Sequence, residues 1–190
     1  MKTMAGLNFI PPIPALRRLL VGIAVSSGAI VTAGDPTAAG DVIGRDLNIL
    51  GYETLGHLGI FTGSRVLECL NEKNPIQQNS LASFKAVTTY WGARYITGRH
   101  DFNKVIATGW AQRNFKPSFT LSPVYTVGHH VNKRVWNPEV RRWETRTVLV
   151  PAKFRCDTFV YHSFKAGIGY ELAAGQITPR IVYRNCAKSR

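Results

Sequence analysis

Cys156 is the residue whose position most strongly suggests covalent chemistry. It opens the segment "CDTFVYHSFKAGIG", whose apolar residues recur at helical spacing directly after a predicted strand. A thiol at the N-terminus of a helix meets the positive end of the helix dipole and backbone amides without intrahelical partners. Both features favour the thiolate, so we expect the pKa of Cys156 to lie below the ordinary value of about 8.5. The same amides could hold an oxyanion during acyl transfer, which makes Cys156 the predicted nucleophile.

A histidine and a carboxylate are predicted to share one face of a β-hairpin. The first arm covers residues 55–61 and the second covers residues 65–70. A two-residue turn centred on either residues 62–63 or residues 63–64 puts Glu68 on the same face as His57, because side chains alternate along a strand. A carboxylate can fix the tautomer of the imidazole and stabilise the imidazolium. An ordinary buried histidine is the alternative for His57.

The other two cysteines are weaker candidates for a nucleophile. Cys69 follows Glu68 directly and must therefore point to the opposite face of the hairpin. With Cys156 and Cys186 it makes an odd number, which leaves one thiol unpaired if the protein is exported. A disulfide between Cys69 and Cys186 is one pairing that the sequence leaves open. No two of the cysteines have the spacing of a zinc-binding motif.

Four segments together resemble a known family. They are "GDVI" at 40–43, "GHLGIFTG" at 56–63, "VLECL" at 66–70 and "CDTFVYHSF" at 156–164. These segments resemble the circularly permuted branch of the NlpC/P60 papain-like superfamily, which includes the YiiX-like bacterial proteins and the lecithin retinol acyltransferase group. The histidine precedes the cysteine, which is the permuted order. Residues 74–153 lie outside the resemblance.

The resemblance implies a fold and a set of roles. It implies an α+β, papain-like fold in which an antiparallel sheet packs on a helix that carries the nucleophile. It also implies Cys156 as nucleophile, His57 as general base and then acid, and Glu68 as the residue that orients His57. This chemistry requires no cofactor and no metal.

The chain is strongly basic, which indicates an anionic partner. It has 24 Lys and Arg against 11 Asp and Glu among its 190 residues, giving a formal charge of +13. Such a charge favours nucleic acid, acidic lipid or an anionic cell-wall polymer. The basic residues are spread along the chain without a nucleic-acid-binding motif, so we expect no specific nucleic-acid function.

The first 33 residues differ from the rest of the chain. They contain three charges, Lys2, Arg17 and Arg18, and then the apolar run "LLVGIAVSSGAIVTAG". This pattern predicts a signal peptide over residues 1–33, with a single catalytic domain over residues 34–190. The alternative is an uncleaved helix that anchors the protein to a membrane. The protein is thus expected to be periplasmic or secreted, or membrane-anchored if the segment remains.

Several other elements are predicted from periodicity and turn signals. We expect a strand over residues 41–43, a loop at "KNPIQQNS" and a helix that begins after Asp101. A second hairpin should have "NPE" as its turn, and the helix that begins at Cys156 should end at Gly167.

These features support three functional hypotheses. The first is an exported thiol hydrolase that cleaves an amide bond in the stem peptides of peptidoglycan. The second keeps the fold but acts on lipid, as an acyltransferase or thioesterase. The third is a binding module without catalytic activity. The sequence does not decide the bond cleaved or the oligomeric state.

Overall fold

An antiparallel sheet lies at the centre of the protein. The computed structural model describes residues 34–47 and 56–186 and the backbone of residues 188–189. The strands of this part of the chain are β1 Val42–Arg45, β2 His57–Phe61, β3 Val66–Cys69, β4 Ile76–Asn79, β5 Tyr90–Tyr95, β6 Ser118–Phe119, β7 His129–Asn137, β8 Arg142–Val150, β9 Lys153–Phe154 and β10 Lys188–Ser189. Among them, six form one sheet in the order β10-β5-β1-β2-β3-β4. Each pairing in that sheet is antiparallel.

Four α-helices accompany the strands in the same residues. They are α1 Leu81–Lys85, α2 Phe102–Ala111, α3 Cys156–Ile168 and α4 Pro179–Asn185, and a 3₁₀ helix, Gln112–Phe115, follows α2 directly. The short strands β6 and β9 pair in parallel, and β7 and β8 form a separate two-stranded hairpin. The architecture is therefore α+β, as predicted.

The largest hydrophobic cluster lies between the sheet and α3. Leu58, Ile60 and Leu67 point from β2 and β3 towards the helix, because alternate residues of a strand face the same side. Phe159 and Phe164 meet them from α3, and all five side chains are fully buried. This packing fixes α3, and with it Cys156, against the strand that carries His57.

The β2–β3 hairpin has one of the two predicted registers. Gly59 pairs with Glu68 and Phe61 pairs with Val66, which centres the turn on residues 63–64. The amide of Thr62 donates to the carbonyl oxygen of Arg65 at 2.8 Å and closes that turn. The register places Glu68 on the His57 face, as predicted.

Two predicted boundaries were wrong. The segment expected to be a loop at "KNPIQQNS" contains strand β4, which pairs with β3 along its whole length. The helix expected to end at Gly167 continues to Ile168, and Gly169 ends it with a φ of 72°. Gly167 lies inside the helix, where a Cβ would come within 2.9 Å of the Cα of Val105 in α2. The glycine thus allows close approach of two helices rather than chain reversal.

Other predictions agree with the structure. Strand β1 lies where one was expected, helix α2 begins directly after Asp101, and β7 and β8 form the second hairpin. The side chain of Asp101 makes no capping hydrogen bond, however. The turn of the second hairpin covers residues 138–141, so it begins after Asn137 and is longer than "NPE". The predicted signal peptide, residues 1–33, lies outside the described residues. In the part that is described, no helix has the length and apolar character needed to cross a membrane.

Candidate active site

Cys156 is the first residue of α3 and faces β2. The residue before it, Arg155, has extended backbone geometry and is the N-cap. Backbone amides of Leu58 and Asp157 form hydrogen bonds to the cysteine and favour its thiolate. The residue is buried, and it forms part of the wall of a cavity.

His57 and Glu68 form a buried pair. His57 Nε2 lies 2.6 Å from Glu68 Oε2, and both side chains are almost completely excluded from solvent. Asn79 Nδ2 donates to the other carboxylate oxygen of Glu68 at 2.5 Å. Because Nε2 faces the carboxylate, Nδ1 is the ring nitrogen left to exchange a proton with another group.

The cysteine and the histidine meet at one cavity of about 870 Å³. The cavity has room for a substrate of the size of a small peptide or an acyl chain. Its wall combines apolar side chains with a few charged ones, namely Leu47, Leu70, Phe119, Leu121, Pro179, Glu72, Lys153 and Arg155. Of the three sequence-predicted site residues, Glu68 contacts His57, and His57 and Cys156 line the same cavity.

The expected low pKa of Cys156 was wrong. Burial raises the pKa of its thiol and the neighbouring carboxylate of Asp157 acts in the same direction, so that the pKa lies at about 12. The amides of Leu58 and Asp157 and the guanidinium of Arg155 oppose this change but do not overcome it. Desolvation disfavours the charged thiolate more than the helix terminus favours it. The resting thiol is consequently protonated near neutral pH.

The imidazole of His57 is also uncharged in the resting protein near neutral pH. Burial lowers the pKa of its imidazole, and the positive charge of Arg45 lowers it further. The hydrogen bond and the charge of Glu68 act in the opposite direction, as does Asp157. A neutral imidazole can accept the proton of a protonated thiol, so the pair suits general-base activation during attack rather than a preformed ion pair.

Two residues of the site were not found from the sequence. Arg45 pairs with His57 across β1 and β2, and its guanidinium lies 5.0 Å from the centre of the Phe84 ring. Asn79 lies in β4 and donates to Glu68 in β3. Because the segment that contains Asn79 was predicted to be a loop, no sequence pattern indicated that Asn79 lies beside Glu68. For Arg45 a signal was available, because it follows the predicted strand at residues 41–43 and the neighbouring strand carries His57.

Gly56 determines how the chain enters β2. Its φ is 71°, in the left-handed region that glycine adopts readily. The space that a Cβ would occupy is filled by the ring of Trp91. A residue with a side chain would be strained at this position and would displace Trp91, so glycine is required immediately before His57.

A buried ion pair fixes the start of α3. Arg155 donates from Nε and from one terminal nitrogen to the two carboxylate oxygens of Asp157, at 2.7 and 2.6 Å. The amide of Thr158 also donates to Asp157, at 2.8 Å. Asp157 is completely buried and acts on the helix terminus rather than on His57 through a hydrogen bond. These contacts hold the turn that presents Cys156.

The remaining cysteines are free and lie away from the cavity. Cys69 points to the face opposite Glu68, as predicted, and its Sγ lies 3.6 Å from the carbonyl oxygen of Phe154. Cys186 lies against the carbonyl oxygen of Val182 in α4. No disulfide joins Cys69 and Cys186. Within residues 34–47 and 56–186, no three His, Cys, Asp or Glu side chains lie close enough together to hold a metal ion.

Comparison of the chain with protein-family models, with curated proteins and with solved structures finds no match. The function is therefore inferred from the geometry of the site.

Proposed function

We propose that the protein is an exported thiol hydrolase that cleaves an amide bond in the stem peptides of peptidoglycan. It would use Cys156, His57 and Glu68 on a papain-like fold of the permuted NlpC/P60 type. The observation that carries this proposal is the 2.6 Å contact of His57 with Glu68 at a cavity that Cys156 also lines. A nucleophile, a base and a group that orients the base are the components of acyl transfer through a covalent intermediate.

The reaction proceeds in two steps. As Cys156 Sγ attacks the amide carbonyl carbon, His57 Nδ1 takes the thiol proton, and Glu68 stabilises the resulting imidazolium through Nε2. The imidazolium then gives this proton to the leaving amine as the C–N bond breaks, which leaves a thioester on Cys156. In the second step His57 takes a proton from water as the water attacks the thioester; the C–S bond then breaks, the imidazolium returns the proton to Cys156 Sγ, and the acid is released. The backbone amides beside Cys156 can donate to the developing oxyanion.

The charge and the N-terminal segment support a substrate outside the cytoplasm. The formal charge of +13 complements the anionic polymers of a bacterial wall. The apolar run that ends near Gly34 has the length and flanks of a secretion signal. The partner is accordingly an anionic amide substrate, and the mechanism needs neither a cofactor nor specific nucleic acid.

The test is digestion of purified peptidoglycan sacculi by the wild-type protein. The matched variants are Cys156→Ala and Cys186→Ala, which remove a thiol at the cavity and a thiol away from it. We expect soluble peptide fragments with new free amino groups from the wild type and from Cys186→Ala, and none from Cys156→Ala. Equal release by wild type and Cys156→Ala would contradict the proposal.

A second candidate function is transfer or hydrolysis of an acyl group carried by a lipid. The apolar side chains of Leu70, Phe119 and Leu121 on the cavity wall favour it. Turnover of a long-chain acyl thioester, compared with an N-acyl dipeptide of similar size, separates the two functions. A large preference for the thioester that depends on Cys156 would support the lipid-directed enzyme.

The third candidate is a binding module on the same fold. The raised pKa of Cys156 favours it, because a thiol that stays protonated is a poor nucleophile. Retention of the protein on sacculi without any release of fragments, unchanged in Cys156→Ala, is the result expected of such a module.

A further inference from the structure

The β7–β8 hairpin carries an exposed apolar tip. Trp136 and Trp143 lie opposite each other in the register, and Val140 lies in the turn between the strands. These side chains are 46%, 57% and 51% exposed, respectively. The two indole rings contact edge to face with centroids 5.8 Å apart. Large apolar side chains grouped at a surface normally mark an interaction site, and we call these three residues the hairpin tip.

Basic side chains surround the hairpin tip. We call them the basic collar, and they are Lys133, Arg134, Arg141, Arg142 and Arg146. Lys133 and Arg146 are direct cross-strand partners, and such a like-charge pair destabilises an isolated hairpin. Glu144 forms ion pairs with Arg142 and Arg146, each at 3.2 Å. Among the residues described, the other three collar cations form no ion pair with a carboxylate.

The base of the hairpin is attached to the domain. The ring of His130 packs against Phe115 at 5.7 Å, and the amide of Gly128 donates to Gln112 Oε1 at 2.8 Å. In the part of the chain that the structure describes, β7 and β8 pair with no other strand. The hairpin is thus held at one end, while its tip and collar contact solvent.

We infer that the hairpin tip inserts into the interface of a lipid bilayer that contains anionic lipids. Tryptophan is well suited to the boundary between headgroups and acyl chains, and Val140 adds exposed aliphatic surface in the turn. The basic collar lies where it can contact anionic headgroups once the tip is inserted. A single-stranded nucleic acid binds by stacking successive bases along a basic groove, whereas these two indoles lie at 65° to each other at the tip of a hairpin. This inference does not depend on the catalytic proposal.

The experiment measures insertion of the hairpin itself, using the full chain so that the N-terminal segment remains present. Vesicles contain phosphatidylcholine with or without phosphatidylglycerol, and brominated lipid quenches tryptophans that enter the bilayer. The test variant is Trp136→Ala with Trp143→Ala. The matched control is Trp110→Ala, because Trp110 is also exposed, at 37%, and also lies beside an arginine, with Arg113 4.1 Å from its ring centre.

We expect strong quenching for the wild type and for Trp110→Ala on vesicles with phosphatidylglycerol, and loss of most of it in the double variant. Replacing Arg134 and Arg141 by serine should lower the partition coefficient about tenfold, with a matching decrease in its dependence on salt. Unchanged fractional quenching in the double variant would overturn the inference. Equal quenching on vesicles of phosphatidylcholine alone would also overturn it. So would binding of a single-stranded oligonucleotide to the basic collar with no quenching of tryptophan fluorescence by the brominated vesicles.

Discussion

Glu68 contacts His57 through one carboxylate oxygen and Asn79 through the other. In Glu68→Gln the side chain has one acceptor oxygen instead of two, so it cannot accept from both His57 and Asn79, and the negative charge that stabilises the imidazolium is lost. We expect the rate at which the substrate acylates Cys156 to fall about 10²-fold or more. Because Glu68 also raises the pKa of His57, the acid limb of the pH–rate profile should move to lower pH. The measurement is kcat/KM against pH.

The control for this change is Glu139→Gln, which removes the same charge from an exposed position in the turn of the second hairpin. It should leave both the rate and the profile unchanged. A purely structural role for Glu68 would lower the amount of folded enzyme without moving the acid limb, and that result would contradict a role in orienting His57.

The three thiols should differ in accessibility more than in acidity. Burial raises the pKa of each, to about 12 for Cys156 and Cys186 and higher for Cys69. Of the three, only Cys156 lines the cavity, so a small alkylating reagent should modify it first in the folded protein. Its rate should be low near pH 7 and rise steadily to pH 10, because the thiolate fraction grows with pH. Peptide mass spectrometry after iodoacetamide treatment measures this, and preferential labelling of Cys69 or maximal labelling of Cys156 near pH 6 would be inconsistent with the structure.

The sequence predicted that Glu68 shares the face of His57 and that Cys156 begins a helix, but it predicted the wrong direction for the pKa of the thiol. The first two predictions rested on strand alternation and on the start of a helix, which are local properties of the chain. The pKa depends on how completely the fold excludes water from the thiol, and that burial comes from elements far apart in the chain, such as β2, whose Leu58 amide contacts Cys156. Desolvation is therefore the quantity that local patterns could not supply.

At the scale of elements, the N-terminus of α3 depends on the ion pair between the partly buried Arg155 and the fully buried Asp157. Asp157→Asn leaves the guanidinium without its charged partner and should destabilise the protein by roughly 2 kcal/mol. The same change removes a negative charge that raises the pKa of Cys156, so alkylation of Cys156 at pH 8 should become faster. Urea unfolding and the labelling rate measure the two effects separately.

Asp35→Asn is the matched control for this pair. Asp35 forms its ion pair with Lys85 at the surface, where both side chains are well exposed. Such a pair contributes less than about 1 kcal/mol, so the variant should unfold almost as the wild type does. A similar decrease in the free energy of unfolding in both variants would show that the ion pair of Arg155 and Asp157 contributes no more to stability than an ion pair at the surface.

Elements with strong periodicity were predictable and weakly patterned ones were not. The β2–β3 and β7–β8 hairpins follow from apolar alternation around turn residues. Strand β4 has the sequence "IQQN", with one apolar residue, and its pairing with β3 is decided by tertiary contacts. The end of α3 was misplaced because Gly167 has the residue type of a helix stop but serves the contact with α2.

For the whole molecule, buried histidines predict sensitivity to mild acid. Burial lowers the pKa of both His57 and His162 below the ordinary value of about 6.5. As the pH falls below that value, the unfolded chain binds protons that the native state does not, so the free energy of unfolding decreases. The urea midpoint should therefore fall between pH 7 and pH 5.

Two variants separate this effect from other causes. His162→Phe suits the aromatic surroundings of Phe154 and Tyr125 and should reduce the slope of stability against pH. His129→Gln changes an exposed histidine and should leave the slope as it is. A slope that His162→Phe does not alter would assign the acid sensitivity to other groups.

The geometry of Gly56, which precedes His57, affects how the results of a mutational survey should be interpreted. Gly56 needs a positive φ and leaves no room for a side chain beside Trp91. In a survey of all single substitutions, this position should be as intolerant as His57, although it contributes no atom to proton transfer. Selection on activity alone would then give Gly56 the same profile as a catalytic residue. Only a comparison of folded yield with turnover would distinguish Gly56, which shapes the entry to the strand, from His57, which is proposed to transfer the proton.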